Sequence, residues 1–251
     1  MRTVKIENMP ELPYAIEEAV NRLRINIGFM GTDVRKIMVI STMPDEGKSF
    51  VIIQLWRQLA ETGISTVLLD ADMRKSVMSD KYQITLEDTG TLRGTSQYLS
   101  GDSSLEDALY HTQFEQGDIL PNTDNVVNPS RLLESERFAD MLEKMSERYR
   151  YVLVDSAPLN IVSDGERIGH LCDGAILVVR AGITPKGIVK NSVRQLERAG
   201  CPLLGIVLNR VESGKGGYYY KGYGSRYYGS KYYGNKYYGS KYYTDAYYKK
   251  S

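Results

Sequence analysis

The stretch KIMVISTMPDEGKSFVIIQLWRQLAETG, residues 36–63, decides the fold, because it joins a short apolar run, a loop and a helical pattern. A loop that follows a strand and ends in Gly-Lys-Ser before a helix is the context in which backbone amides bind phosphate. Gly47 lets the backbone come close to a ligand, and the helix N-terminus favours a polyphosphate there. Lys48 is then expected to neutralise β- and γ-phosphate oxygens, and Ser49 to reach Mg²⁺. A strict phosphate-loop motif has glycine at the position of Thr42, so the motif needs support from the rest of the chain.

Further apolar runs alternate with helical patterns along the body of the chain. The predicted strands after the first lie at residues 65–69, 119–120, 151–154, 175–179 and 203–208. These runs are largely apolar throughout, as expected for strands that are buried on both faces of a parallel sheet. Helix signals begin at residues 128–129 and 184–185 and end near Glu147 and at Gly200. The alternation predicts a doubly wound, mostly parallel α/β sheet with helices on both faces.

Three acidic residues follow predicted strands, at the edge where ligands bind in such a sheet. Asp70 and Asp72 come just after the strand at 65–69, and Asp155 follows the strand at 151–154. Because Asp70 and Asp72 are two residues apart, they point to the same side in extended geometry. Like charges held together are unfavourable unless a cation or a proton sits with them. Three acids and one Gly-Lys-Ser at strand ends therefore predict a Mg·ATP site, although a single such acid is often only a helix cap.

The composition excludes several classes of protein. The chain has 251 residues, 42% of them hydrophobic and 25% charged, which is typical of a globular protein. Two cysteines, Cys172 and Cys201, exclude a disulfide scaffold, a four-cysteine zinc site and a cysteine-ligated iron–sulfur cluster within one chain. No apolar run approaches the ~18 residues that a membrane span needs, and the N-terminus lacks the apolar stretch of a secretory signal. We therefore expect a cytoplasmic protein.

Residues 214–251 differ from the rest of the chain in composition. They hold 14 of the 20 tyrosines, eight glycines and no Val, Ile, Leu, Met or Phe. Tyr-Tyr pairs recur mostly every five residues, a period that matches neither a helix nor a strand. Eight basic residues and one acid give this tail a net charge of +7, whereas residues 1–213 carry −6. Without aliphatic side chains to form a core, the tail is expected to be disordered in isolation.

The chain is thus predicted to have three parts. Residues 1–30 form an N-terminal helical segment, whose amphipathic helix at 15–27 is a candidate oligomer contact outside the core. Residues 31–213 form the nucleotide-binding domain, and residues 214–251 form the disordered tail.

Three motifs together resemble a known family of enzymes. S-x-x-P-x-E-G-K-S at 41–49, V-L-L-D-A-D-M-R at 67–74 and V-L-V-D-S-A-P at 152–158 resemble the bacterial tyrosine kinases of capsule and exopolysaccharide synthesis. These kinases are P-loop enzymes of the partition-ATPase type. Segments at 94–102, 128–135 and 203–211, and the tyrosine-rich C-terminus, are also similar to the family, so the resemblance covers almost the whole chain. The tyrosine tail together with the aspartate pair makes the resemblance specific.

The resemblance implies a protein-tyrosine kinase that uses ATP and Mg²⁺, and it implies roles for matching positions. Asp70 is the implied base for the incoming tyrosine hydroxyl, with Asp72 and Lys48 as the other catalytic residues. The implied metal ligands are Ser49, Asp72 and Asp155. The implied nucleotide-binding residues are Asp45, Glu46, Gly47, Lys48, Ser49, Phe50 and Asn209, the last as an adenine contact.

Two positions depart from the pattern of the family. The family often has glycine where Asp45 stands, a change expected to affect the flexibility or the charge of the loop. Many members carry E-x-x-R-x-x-R in the N-terminal helix, where it serves ring assembly. Here Glu18 and Arg24 match, whereas the middle position is Asn21, with Arg22 beside it. Glu18 and Arg24 are therefore the candidate oligomer contacts, and assembly of a ring through this motif stays open.

The tail is then predicted to be the substrate of autophosphorylation. Because the linker before its first tyrosine is short, the acceptor site is expected to belong to a neighbouring subunit. The candidate acceptors are Tyr218, Tyr219, Tyr220, Tyr223, Tyr227, Tyr228, Tyr232, Tyr233, Tyr237, Tyr238, Tyr242, Tyr243, Tyr247 and Tyr248. Each phosphate adds about −1.5 to −2 charges, so the unmodified tail is expected to favour subunit association and the phosphorylated tail to weaken it.

The resemblance also implies partners. It implies a separate transmembrane activator, or polysaccharide co-polymerase, that holds the kinase at the inner face of the plasma membrane, and a cognate tyrosine phosphatase. No nucleic-acid partner is expected, because the acidic body offers no second basic patch. Two alternatives stay open: a partition or division-site ATPase whose basic aromatic tail binds nucleic acid, and a non-enzymatic scaffold whose tail another enzyme phosphorylates.

Overall fold

The computed structural model describes residues 1–211, so the predicted disorder and the candidate acceptors of the tail at 214–251 lie outside the described residues. Within residues 1–211 the strands are β1 (Arg2–Ile6), β2 (Lys36–Ser41), β3 (Thr66–Asp70), β4 (Ile84–Leu86), β5 (Tyr110–His111), β6 (Gly117–Leu120), β7 (Tyr151–Asp155), β8 (Gly174–Arg180) and β9 (Leu203–Asn209). The helices of the same part are α1 (Tyr14–Gly28), α2 (Lys48–Glu61), α3 (Met78–Tyr82), α4 (Thr95–Ser100), α5 (Leu105–Ala108), α6 (Ser130–Leu133), α7 (Glu136–Arg148), α8 (Asp164–His170) and α9 (Lys186–Arg198).

The strands of residues 1–211 form one sheet in the order β4-β1-β5-β6-β3-β7-β2-β8-β9. Neighbours from β6 to β9 in this order are parallel, whereas β4 is antiparallel to β1 and β5 is antiparallel to β6. The predicted doubly wound, mostly parallel α/β fold is therefore confirmed. The carboxyl ends of the parallel strands meet at one edge of the sheet, which is the edge that binds ligands in this fold class.

Each face of the sheet has its own hydrophobic core. Because side chains alternate along a strand, β2 contributes to both cores. Met38 packs on one face with Phe138 of α7, and Ile37 packs on the other with Trp56 of α2. The indole N–H of Trp56 donates to the Asp118 carbonyl at 3.1 Å, so this fully buried ring leaves no unpaired donor.

The single helix predicted from residues 128–129 to about Glu147 is wrong. Residues 128–147 hold two helices, α6 and α7, because Ser135 caps the start of the second. Its hydroxyl accepts a hydrogen bond from the N–H of Phe138 at 3.3 Å, which satisfies a backbone donor in the first turn. Gly200, predicted to end the helix that begins near 185, has φ +72° directly after the end of α9, which confirms its role.

The N-terminal segment is only partly helical. α1 confirms the helix predicted at 15–27, but β1 precedes it and joins the sheet beside β4 and β5. Val4 and Ile6 of β1 are buried, so residues 1–30 contribute to the core of the domain. No helix within residues 1–211 combines the length and the apolarity that a membrane span requires.

Candidate active site

The phosphate loop, residues 42–47, leaves the carboxyl end of β2 and leads into α2. Gly47 has φ +93°, a left-handed conformation that favours glycine. A Cβ atom at this position would also lie 2.2 Å from Nδ2 of Asn209. The positive φ favours glycine at position 47, as the predicted motif does, and a larger residue there would also displace the side chain of Asn209.

Glu46 holds the beginning of the phosphate loop from inside the protein. Its side chain is buried, and its Oε2 accepts hydrogen bonds from the amide and the hydroxyl of Thr42, at 2.7 and 2.8 Å. The amide of Met43 donates to the same oxygen at 2.9 Å. Thr42 does not have a positive φ, so the backbone does not require the glycine of the strict motif there. The carboxylate of Glu46, a predicted nucleotide-binding residue, thus binds the backbone of its own loop.

The three predicted acids converge on the phosphate loop. Asp70 of β3 pairs in register with Asp155 of β7, Asp72 follows two residues later, and all three are buried. Nζ of Lys48 lies 3.1 Å from Oδ2 of Asp72 and 3.3 Å from Oδ1 of Asp155. The hydroxyl of Ser49 donates to Oδ2 of Asp155 at 2.7 Å. The structure therefore brings the predicted catalytic and metal-binding residues into one buried group.

Burial perturbs the acidity of this group. The pKa of Asp70 is raised from 3.8 to about 8, first by burial and then by the negative charge of Asp155. A hydrogen bond that the Ser76 hydroxyl donates to Asp70 opposes the rise. Burial also raises the pKa of Asp155, and the charge of Lys48 opposes that rise. In the nucleotide-free protein, burial and the charge of Asp155 therefore favour the protonated form of Asp70.

Oxygen atoms suited to a hard cation lie beside Lys48. Oδ1 of Asp155 is buried and receives no hydrogen bond, and the hydroxyl of Ser49 and the carboxylate of Asp72 lie nearby. No three His, Cys, Asp or Glu side chains within residues 1–211 are placed to hold a metal ion by themselves. Mg²⁺ is usually bound by one or two carboxylates, and waters and substrate phosphates complete its shell. The predicted ligands therefore fit a magnesium site that a nucleotide would complete.

The remaining predicted nucleotide-binding residues surround the phosphate loop. Asn209 ends β9, and its Nδ2 donates to the carbonyl of Glu46 at 2.8 Å, so its contact with adenine stays a prediction. Asp45 is exposed and has φ +62°, which explains why glycine suits this position. Phe50 lies in the first turn of α2, where its half-buried ring packs against the core on that face.

Arg74, to which the sequence assigned no role, joins three segments at the same edge of the sheet. Its guanidinium forms a bidentate ion pair with buried Asp164, in which Nη2 lies 3.0 Å from Oδ1. The same Nη2 lies 3.3 Å from the hydroxyl of Ser130. The segment after β3 is thereby fixed to the starts of α6 and α8. The role of Asp164 was not predicted, because an acid in the first turn of a helix is common and forms no distinctive sequence motif.

The candidate oligomer contacts lie on α1. The guanidinium of Arg24 donates to Oδ1 of Asn21, at 2.8 and 3.2 Å, within the same helix. The residue that departs from the family pattern therefore binds the arginine that matches it. A contact between subunits through Glu18 and Arg24 stays a prediction.

Comparison with known proteins agrees with this geometry. The CbiA family model, described as the CobQ/CobB/MinD/ParA nucleotide binding domain, matches residues 37–245. The tyrosine-protein kinase CpsD of Streptococcus agalactiae serotype III (strain NEM316) is 36% identical over 195 residues, which are 78% of this chain and 82% of CpsD. The chain belongs to the bacterial tyrosine kinases. Its nucleotide-binding domain is of the MinD/ParA type, and its activity is that of a protein-tyrosine kinase.

Solved structures support the assignment of this kinase. The kinase domain of the Escherichia coli tyrosine kinase ETK is similar, with a TM-score of 0.70 and 28% identity, over 81% of this chain and 80% of that structure. The septum site-determining protein MinD of Pyrococcus horikoshii, complexed with Mg-ADP, has a TM-score of 0.60 at 24% identity. That match covers 72% of each chain and shows the fold alone.

Proposed function

We propose that this kinase transfers the γ-phosphoryl group of ATP, with Mg²⁺, to tyrosines of its own tail. The modification would regulate the synthesis and export of capsular polysaccharide or exopolysaccharide. One observation carries the proposal: one buried serine and three buried acids surround a partly buried lysine beside a phosphate loop, in a chain whose tail is a tyrosine repeat. Phosphoryl transfer requires positioning and charge neutralisation more than covalent chemistry from the protein. This group offers both.

The phosphate loop and Lys48 would hold the triphosphate. The N-terminus of α2 directs free amides and a partial positive charge toward the loop. Nζ of Lys48, 3.1 Å from Asp72, is close enough to the loop to share its charge with β- and γ-phosphate oxygens. A preorganised charge in a buried site stabilises a developing negative charge more strongly than it would in water.

Ser49, Asp72 and Asp155 would hold Mg²⁺, because they place one hydroxyl and two carboxylates close together beside Lys48. The bound cation would neutralise part of the phosphate charge. When the site is empty, Lys48 partly compensates the negative charges of Asp72 and Asp155.

Asp70 would take the proton of the tyrosine hydroxyl. As the phenolic oxygen bonds to the γ-phosphorus, the bond from phosphorus to the leaving ADP breaks, and the phenolic proton passes to the carboxylate of Asp70. An unperturbed tyrosine has a pKa of about 10. Bound Mg²⁺ would offset the charges of Asp72 and Asp155, so Asp70 would be ionised when the tyrosine arrives. The burial that raises the pKa of Asp70 makes its carboxylate a stronger base than an ordinary aspartate.

The charges of the chain would bring substrate and site together. The tail carries +7 and residues 1–213 carry −6, so the two attract each other at low salt. The linker before Tyr218 is short, which favours transfer to the tail of a neighbouring subunit. A few phosphates would cancel the charge of the tail and weaken the association.

The setting of the kinase is part of the proposal. We expect a separate transmembrane activator, or co-polymerase, to hold it at the inner face of the plasma membrane, and a tyrosine phosphatase to reverse the modification. Self-association, including a ring through α1, would bring each tail to a neighbouring site.

Intact mass after incubation with Mg·ATP tests the proposed function. We expect wild-type protein to gain mass in steps of one phosphate. The Lys48→Met variant should gain none, and neither should a variant in which all 14 tail tyrosines are phenylalanine. ATP consumption by the wild type without any added phosphate, even with the cytoplasmic segment of the activator present, would contradict the proposal and favour a partition-type ATPase.

A further inference from the structure

Both oxygens of the Glu46 carboxylate accept hydrogen bonds, each from a different part of the chain. Its Oε2 accepts the three hydrogen bonds from Thr42 and Met43 at the start of the phosphate loop. Its Oε1 accepts a hydrogen bond from the hydroxyl of Thr184 and a longer one, 3.4 Å, from the amide of Arg180. Only 2% of Glu46 is exposed, and it takes part in none of the ion pairs within residues 1–211.

These donors come from segments that are far apart in the sequence. Thr184 lies in the loop that connects β8 to α9, and it is 138 residues from Glu46. The backbone carbonyl of Glu46 also accepts a hydrogen bond from Asn209 at the end of β9. One buried residue therefore connects the phosphate loop to the ends of β8 and β9 and to the loop that follows β8.

We propose that Glu46 is a positioning residue for nucleotide binding, and that Thr184 shares this role by anchoring its carboxylate. Glu46 would not contact the phosphates with its side chain. It would hold the phosphate loop, through Thr42 and Met43, in the conformation in which the amides that follow converge on a triphosphate. The inference rests on the proposed binding of ATP by this loop.

Preorganisation of the phosphate loop by Glu46 would favour nucleotide binding. A loop that is fixed before the ligand arrives loses less conformational freedom on binding, and this raises affinity. A hydrogen bond to a buried charged group is stronger than a neutral one, and removal of a donor leaves the carboxylate partly unsatisfied. Loss of the Thr184 hydroxyl should therefore weaken nucleotide binding even though Thr184 lies outside every phosphate-binding motif.

Thr66 provides a matched control. Its hydroxyl donates to the carbonyl of Tyr151 at 3.2 Å, and its side chain is fully buried. It lies at the first residue of β3, the end opposite to Asp70. Thr66→Val and Thr184→Val each remove one buried hydroxyl from the same domain, but only the second removes a hydrogen bond to Glu46.

The test measures the Kd of ATP by calorimetry with Mg²⁺, the KM and kcat of phosphoryl transfer, and the nucleotide-free unfolding midpoint, all in the full chain. Thr184→Val should raise Kd and KM for ATP about tenfold with kcat changed less than about twofold. Thr184→Ser should restore the wild-type values, because it keeps the hydroxyl. Glu46→Gln should raise Kd at least as much, because its amide nitrogen faces donors. Thr66→Val should lower the unfolding midpoint but leave Kd within about twofold.

The inference is overturned if Thr184→Val and Thr66→Val change Kd for ATP equally, or if Thr184→Ser does not restore binding. A wild-type chain that binds no ATP would also overturn it. The proposed function fails by a different result, in which wild-type protein binds ATP but transfers no phosphate. In that case the comparison of Kd values still decides the role of Glu46.

Discussion

Two kinds of buried carboxylate lie on opposite sides of the phosphate loop. Glu46 accepts three hydrogen bonds from Thr42 and Met43 in the loop itself, one from the amide of Arg180 at the end of β8 and one from the hydroxyl of Thr184 in the β8–α9 loop. Asp70 and Asp155 instead face each other across adjacent strands, and burial raises the pKa of both. Oδ1 of Asp155 has no fixed hydrogen-bond donor of good geometry and is compensated by Nζ of Lys48, 3.3 Å away.

This difference in hydrogen bonding distinguishes a carboxylate that supports the loop from carboxylates that are available for proton transfer or metal binding. A carboxylate whose lone pairs are filled by fixed donors is stable as an anion and holds its neighbours in place. Carboxylates that repel one another in a buried site are held there at a cost in stability, and such groups concentrate where ligands bind and protons move. The acids beside Lys48 are therefore the group to test for catalysis, and Glu46 is the group to test for loop conformation.

Removal of Lys48 should have the largest effect. Lys48→Met removes the cation that contacts Asp72 and Asp155 and that would neutralise the phosphates. We expect phosphoryl transfer to fall at least about a thousandfold, measured as phosphotyrosine formed per minute. Lys190→Met on exposed α9 is the control and should keep wild-type activity. Substantial activity in Lys48→Met would show that the charged group is not the reaction centre.

Substitution of Asp70 should lower the rate of phosphoryl transfer rather than the affinity for ATP. Asp70→Asn keeps the size of the side chain but cannot accept the phenolic proton, so kcat should fall about a hundredfold or more while Kd for ATP stays near the wild-type value. The control is Asp118→Asn, a buried carboxylate of β6 that pairs in register with Val67 of β3, outside the group beside Lys48, and accepts hydrogen bonds from His111 and Tyr149. If both variants lower kcat to the same extent, the loss of rate is not specific to the acids beside Lys48.

The pH dependence of stability gives a smaller effect. The pKa of Asp70 is about 8 when folded and has an ordinary value near 3.8, so the native state binds a proton more tightly than the unfolded state between these values. Its contribution to the free energy of unfolding is therefore complete below about pH 4 and is lost as the pH rises to about 8. The slope for one such group is at most about 1.4 kcal/mol per pH unit.

Denaturation of nucleotide-free protein without divalent cations measures this slope. Asp70→Asn cannot lose the proton, so its stability relative to wild type should increase from pH 5 to pH 8. If the difference in the free energy of unfolding between the two proteins stays constant over this range, the pKa of Asp70 is not raised in the native state.

Asp45 extends the comparison to an exposed carboxylate and should give the smallest effect. Its φ of +62° is unfavourable for a residue with a Cβ, but glycine also loses more freedom on folding. Asp45→Gly should therefore raise the free energy of unfolding by about 1 kcal/mol or less, measured with urea. A clear loss of stability would show that Asp45 makes a favourable contact in the loop.

Sequence patterns predict the parts of this fold that depend on local signals. The long apolar strands, the Gly-Lys-Ser loop and the strand-end acids all occupy their predicted places, because burial on both faces of a parallel sheet leaves a clear pattern. β1, β4 and β5, of two to five residues, were missed because their pairing depends on distant partners. The break at Ser135 was missed because the apolar stripe continues across it.

The supporting contacts of the site could not be predicted from the sequence. Glu46 and Thr184 are 138 residues apart, and Arg74 and Asp164 are 90 residues apart. Both contacts depend on which loops the sheet order places side by side, and no motif encodes that order. The residues that we propose to carry the chemistry were therefore visible in the sequence, whereas the residues that hold them in place were not.

Mixing two inactive variants tests the central claim most directly. Lys48→Met protein keeps the tail but lacks the lysine of the site, and the variant with 14 phenylalanines in its tail keeps the site but lacks acceptors. Neither should gain phosphate alone with Mg·ATP. In the mixture, intact mass should show phosphate added only to the Lys48→Met chain. Phosphate on the phenylalanine variant, or none on either chain while wild-type protein is modified, would contradict transfer from the site of one subunit to the tail of another.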